Sequence, residues 1–149
     1  MTVLCFVDTN ILLYAHDRDA GIKSQRSAEL LRELWESETG VLSVQVLQEF
    51  YVNVTQKIPT PIAKAKAREV VRLYGAWLQT LTPVESVLRA SEISEIWQLS
   101  FWDSLIIAAA EQVSAAVVLS EDLHHGQTIG GVRIINPLLS SEPLEQLIQ

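Results

Sequence analysis

The sequence predicts an α/β sandwich on a mainly parallel sheet, folded as one domain over residues 1–149. Short β-rich runs recur at 3–7 (VLCFV), 115–119 (AAVVL) and, with Arg133 inside it, 132–135 (VRII). An unbroken apolar run such as the first suits a strand buried on both faces. Long segments of helical period separate them, and strands joined through helices pair in parallel. No repeat, linker or low-complexity tract interrupts the chain. It is 48% apolar, enough for one core without staples.

The elements follow in order. After the first strand, Asp8-Thr9-Asn10 turns the chain and 11–14 begin a helix. Residues 24–38 have amphipathic spacing, with Ser24 as the N-cap and Gly40 beyond the end. Residues 41–43 suit a short strand. Residues 44–57 form a helix stopped before Pro59, and 61–79 another that ends before Pro83. Two more helices cover 84–98 and 101–113. The second long strand is 115–119, and the third is 132–135, after a turn at Gly130-Gly131. The tail, 138–149, is either a short helix or a loose end.

Composition narrows the function. A formal net charge of −7 disfavours a general polyanion-binding surface. It leaves room for a local basic patch, or for acidity concentrated in a metal site whose cations offset it. The one cysteine, Cys5, lies in an apolar strand, so no internal disulfide forms and no oxidising compartment is needed. The first apolar run has no charged segment before it and is too short for a signal peptide or a membrane span. The expectation is a cytoplasmic protein with no membrane partner.

Sites in parallel sheets lie beyond the carboxyl ends of the strands. Asp8 follows the first strand, and Ser120-Glu121-Asp122 follows the second long one. Each acid also has an ordinary reading: Asp8 as a helix N-cap, Asp122 as a turn former. On a wheel of about 100° per residue, Asp103 falls between Ile106 and Ile107, on the side of Ala110. A carboxylate on an apolar stripe must be paired, protonated or metal-bound; otherwise Asp103 completes a capping box with Ser100. Glu49 lies off the apolar face of Val46, Leu47, Phe50, Tyr51 and Val54, and reads as solvated. His124 and His125 have no partner at a zinc spacing. If the acids converge, two carboxylates about 4 Å apart repel by about 4 kcal/mol at an effective dielectric of about 20. Such a cluster needs cations, and all-oxygen ligands suit Mg²⁺ or Mn²⁺.

Lys57, Lys64, Lys66, Arg68 and Arg72 form the main basic concentration, with Glu69 as the only acid among them, and Arg18, Lys23 and Arg26 form a lesser one. Either group could line a nucleic-acid groove or be a solvated helix face.

Four segments carry a family likeness: Phe6-Val7-Asp8-Thr9-Asn10-Ile11-Leu12, Ser43-Val44-Gln45-Val46-Leu47-Gln48-Glu49-Phe50, Phe101-Trp102-Asp103-Ser104-Leu105-Ile106 and Ser120-Glu121-Asp122-Leu123. In this order and spacing the chain resembles the PIN-domain family, and within it the VapC-type toxins of bacterial toxin–antitoxin pairs. The resemblance implies a PIN-like three-layer α/β/α sandwich whose central, mainly parallel sheet gathers Asp8, Glu49, Asp103 and Asp122. It adds Glu49, which periodicity did not favour. It implies a divalent-metal-dependent endoribonuclease that holds one or two Mg²⁺ or Mn²⁺ ions and hydrolyses RNA phosphodiesters through an activated water. Asp8 and Asp103 are then the principal ligands, Glu49 and Asp122 supporting ones, and Thr9, Asn10 and Ser120 orienting groups. Ser120 stands where the family often has Thr, which retains a hydroxyl, and Glu121 beside Asp122 competes for the last position. The implied partners are RNA, an antitoxin protein laid into the active-site groove, and a second copy of the chain. Trp35, Trp77 and Trp97 either serve such interfaces or belong to the core.

Two other readings compete. One is a non-catalytic PIN scaffold that binds RNA or protein. The other is a haloacid-dehalogenase-like phosphohydrolase, which needs a second Asp two residues after the first, where this chain has Asn10.

Overall fold

The computed structural model describes residues 3–78 and 83–149. Five strands form one sheet: β1 (Cys5–Val7), β2 (Gly40–Val41), β3 (Val117–Leu119), β4 (Thr128–Ile129) and β5 (Val132–Ile135). Their order is β2-β1-β3-β5-β4, and only the β4–β5 pair is antiparallel. Every residue of β1 and β3 is buried, as their unbroken apolar composition requires. The helices are α1 (Thr9–Ala15), α2 (Ile22–Ser37), α3 (Val44–Gln56), α4 (Lys64–Tyr74), α5 (Val84–Trp97), α6 (Phe101–Gln112) and α7 (Leu144–Leu147). They sandwich the sheet in three layers. Helices α1 to α4 pack in succession through α1–α2, α1–α3 and α3–α4 contacts. The α5–α6 pair is held to β3 and β5 through α6. One core, including Phe6, Leu12, Leu34, Phe50, Ile107 and Ile134, joins the layers.

The topology places the site. From β1 the chain crosses to β2 on one side and later returns to β3 on the other. The gap beyond the carboxyl ends of β1 and β3 is therefore the switch point, where parallel sheets leave a crevice. The amide of Asp8 donates to Leu119 O (3.0 Å) and that of Ser120 to Ile135 O (3.0 Å), so the ladder extends to the residues that begin the crevice.

Several local expectations needed correction. Helix α2 starts two residues before Ser24. Gly21, at φ 61°, turns the chain directly into it, and Ser24 donates its own amide to Gly21 O within the first turn. Its end is closed by Glu38 in the left-handed conformation, not by a glycine. Gly40 instead enters β2, and Ser43, assigned to that strand from the sequence, is the N-cap of α3, accepting from the Val46 amide. The helix expected over 61–79 is shorter: α4 starts at Lys64, gives way to a 3₁₀ turn at Gly75–Trp77, and residue 79 lies outside the described residues. Strand β4 was not anticipated, because two residues carry no periodicity. The tail forms α7.

Trp77 is buried and Trp35 half-buried. Both stack with Tyr74 in a three-ring cluster with centroids 4.8–5.3 Å apart. Trp77 is therefore a core group and Trp35 packs against the core, whereas Trp97 is partly exposed. This cluster explains Gly40: a methyl group there would lie 2.6 Å from a carbon of the Trp77 ring. Gly40→Ala is expected to cost about 1–3 kcal/mol of stability, the usual penalty of overpacking. Urea unfolding followed by tryptophan fluorescence measures it, and an unchanged midpoint would contradict the packing described.

Candidate metal centre

Asp8 ends β1 and starts α1. Its Oδ1 accepts from the Thr9 amide at 2.7 Å, so it does cap the helix. Its Oδ2 accepts from Ser120 Oγ at 2.8 Å and from Asn10 Nδ2 at 3.4 Å. The cap thus uses one carboxylate oxygen and the crevice the other. Ser120, fully buried at the end of β3, also accepts from the amides of Asp122 (3.1 Å) and Leu123 (3.3 Å), which shapes the turn that carries Asp122. Asn10 binds the same turn from the other side, accepting from the Glu121 amide at 3.0 Å and donating to Asp122 Oδ2 at 3.1 Å. Asn10 and Ser120 therefore tie the ends of β1 and β3 together. Thr9 contributes through its backbone. Its buried hydroxyl has no hydrogen-bond partner among the described residues.

Asp103 sits in the first turn of α6. Ser100 caps this helix by accepting from the Asp103 amide at 3.1 Å. The cap occupies the amide of Asp103, and its half-buried carboxylate is directed among the other acids. Glu49, on α3, is half-buried as well. Gln45, one turn earlier, donates to Glu49 Oε1 at 2.9 Å and to Trp102 O at 3.2 Å, which links α3 to the start of α6. Periodicity missed this placement of Glu49 because the neighbour that matters comes from another helix.

The acids feel one another. Burial pushes the Asp8 carboxyl up to about 6 against the hydrogen bonds from Ser120 and Thr9, and the charges of Asp103 and Glu49 push the same way. Burial also raises Glu49, opposed by the Gln45 bond and reinforced by Asp103 and Asp122. It raises Asp103, opposed by the Ser100 hydroxyl and reinforced by Asp122. Among the described residues, none of the four carboxylates has a salt-bridge partner. The arrangement is open: among the described residues, no three His, Cys, Asp or Glu side chains stand close enough to hold an ion as they are. Mutual repulsion accounts for a gap at the centre of uncompensated carboxylates.

Glu121 turns away from the cluster. The Tyr14 hydroxyl donates to it, and Lys23 Nζ lies 2.9 Å from its other oxygen and 5.2 Å from the Tyr14 ring centre. Burial works to raise its pKa, but Tyr14 and Lys23 outweigh this and hold Glu121 below the usual range. Glu121 and Asp122 thus take different partners. Tyr14 follows Asn10 by one helical turn, a spacing that could have revealed it. His125 Nδ1 accepts from the Asn136 amide, so that ring serves the loop. Arg26, grouped with the basic residues from sequence, is buried and donates to the carbonyls of Pro137 and Glu142; it is structural. The exposed Lys57, Lys64, Lys66, Arg68 and Arg72 lie at the end of α3 and along α4. None of them touches the four acids.

The PIN domain family pattern matches residues 5–128, most of the chain and all four acidic segments. The chain belongs to the PIN-domain family. The fold of this PIN domain is similar to a chain in the crystal structure of VapBC2 from Rickettsia felis bound to a DNA fragment from their promoter. The TM-score is 0.61 at 17% identity, over 89% of this chain and 97% of that one. No curated protein matches the sequence closely.

The raised pKa of Asp8 makes stability depend on pH in this PIN domain. Between its ordinary value, 3.8, and about 6 the folded state holds a proton that the unfolded chain has released. Stability from this group is therefore greatest below pH 4, falls as pH rises to about 6, and is level above. The gap corresponds to about 3 kcal/mol at 1.36 kcal/mol per pH unit. In EDTA, Asp8→Asn is expected to raise the melting temperature at pH 7.5 and to lose that advantage towards pH 4. A variant no more stable than wild type at pH 7.5 would show that Asp8 is not buried at this cost.

Proposed function

We propose that this PIN domain is a divalent-metal-dependent endoribonuclease of the VapC type, the toxin of a toxin–antitoxin pair. The observation that carries the reading is the set of four carboxylates at the start of α1, on α3 and α6 and in the turn after β3, grouped at the switch point of the sheet with no salt-bridge partner among the described residues. Their donor atoms are all oxygens, which fits Mg²⁺ or Mn²⁺. Asp8 and Asp103 would be the principal ligands, with Glu49 and Asp122 supporting. When bound, the ion would activate a water and offset charge on the phosphodiester.

The protein's own groups do the positioning. Ser120 and the Thr9 amide fix the Asp8 carboxylate, Asn10 holds Asp122, and Gln45 holds Glu49. These bonds set the direction of each carboxylate before an ion arrives, which lowers the cost of assembling the site. Where they carry charge, the same groups would repel RNA phosphates until compensated.

Cleavage of single-stranded RNA is expected with Mg²⁺ or Mn²⁺, none in EDTA, and a loss of roughly 100-fold or more in Asp8→Asn, exceeding the loss usual for a residue that only orients a ligand. Cleavage that persists in EDTA or in the variant would overturn the mechanism.

For the substrate, the basic residues of α4 supply the phosphate contacts in this reading. Replacing Lys64, Lys66, Arg68 and Arg72 with Gln is expected to weaken RNA binding and to flatten the slope of affinity against salt, by about 0.7 for each single-strand phosphate that is no longer neutralised. An unchanged slope would assign them to solvent. For partners, the family resemblance supports an antitoxin protein and a homodimer. The apolar side chains Val84, Val87, Leu88 and Ile96, exposed along α5, offer a surface of the kind such contacts cover.

A further inference from the structure

Trp102 is 63% exposed, against 38% for Trp97 and 5% for Trp77. Its neighbour in sequence is Asp103, and its carbonyl is held by the same Gln45 amide that holds Glu49. The Phe101 ring meets it edge-on at 5.2 Å, bracing the indole from one side. A large aromatic face displayed to solvent beside a cluster of acids requires a reason, because tryptophan is buried in most settings.

The surroundings supply one. Trp102 lines a cavity of about 380 Å³ with Gln45, Gln48, Ser86, Leu105 and Ala109. The volume is in the range of small-molecule sites, about 300–1,000 Å³. The walls combine an aromatic plane, an apolar floor and amides. The Gln48 side chain makes no hydrogen bond among the described residues, so its donor and its acceptor are both free. Gln45 Oε1 is buried and also lacks a donor among the described residues. Val44 and Gln48 line this cavity and also a second one across α3, of about 570 Å³, where Arg68 and Arg72 stand. The Trp102 plane, the Gln48 amide and the guanidinium groups of Arg68 and Arg72 thus line two cavities that share Val44 and Gln48, and Gln45 ties the first of them to Glu49.

We propose that this cavity is a nucleobase subsite: one base of a single-stranded RNA stacks on Trp102, its edge meets the Gln48 amide, and the flanking backbone runs towards Arg68 and Arg72. The proposal rests on the RNA reading of the site and deepens it by naming a residue that holds the strand beside the cluster. Stacking tolerates every base, because each has a π face, while the amide offers a preference among base edges. Trp102 would fix the strand and leave the chemistry to the carboxylates.

The test uses a 5′-fluorescein-labelled 12-nucleotide single-stranded RNA and a set of the same strand with one abasic residue at each position. Binding is read by anisotropy in Ca²⁺, cleavage in Mn²⁺, and oligomeric state by sedimentation. Wild type is expected to lose affinity at one or two abasic positions. Trp102→Leu is expected to weaken binding of the intact strand by roughly 5- to 150-fold, the worth of one base–aromatic stack, and to be indifferent to those same abasic positions. Trp102→Phe is expected to recover most of the loss, which a merely structural role would not predict. The subsite is overturned if Trp102→Leu binds like wild type, if it loses intact and abasic strands alike, or if it changes the oligomeric state, which would make Trp102 an interface residue. RNA bound through Trp102 but left uncut in Mn²⁺ would remove the nuclease reading and keep the subsite. RNA cut without any Trp102 effect would do the reverse, and no RNA binding at all would overturn both.

Discussion

The hydrogen bond from Ser120 to Asp8 is the constraint on which the rest of the site depends. It joins the ends of two neighbouring parallel strands where the sheet's connections diverge. One buried hydroxyl serves as donor to the carboxylate and as acceptor for two amides of the next turn. An unpaired buried carboxylate would be costly, so Asp8 can remain in the crevice only because Ser120, Asn10 and the Thr9 amide satisfy it. None of those bonds brings a cation to the other acids, which have no salt-bridge partner among the described residues.

The major elements were legible in the sequence because their signals are local. Unbroken apolar runs announced β1 and β3, a short β-rich run after a glycine turn announced β5, and helical spacing announced α3, α5 and α6. Asp103 stood out because a carboxylate between Ile106 and Ile107 contradicts its own helix face. What was not legible depends on contacts between distant segments. Glu49 looks solvated from α3 alone, and only Gln45 bridging to the Trp102 carbonyl shows that it faces another helix. Trp77 looks available until Gly40 and Tyr74 are seen against it. Arg26 looks like an RNA contact until the tail folds back over it.

Glu121 and Asp122 show how neighbours of identical charge acquire different roles. The chain alternates direction across the turn, so one carboxylate meets Tyr14 and Lys23 and the other meets Asn10. The lysine that might have neutralised the cluster is held by Glu121. This division leaves Asp122 without a cation among the described residues, and the partners that draw Glu121 away, Tyr14 on α1 and Lys23 on α2, lie outside the four segments that carry the family likeness.

That uncompensated acidity imposes an order of events. The formal charge of the chain is −7, and four of its carboxylates face one crevice with no salt-bridge partner among the described residues. A polyanion approaching a crevice of unpaired carboxylates meets repulsion, and each divalent ion such a crevice took up would shift the local charge by two. In the proposed reading the ion would then be an admission condition as well as a reagent, and RNA would be held poorly wherever free divalent cations are scarce.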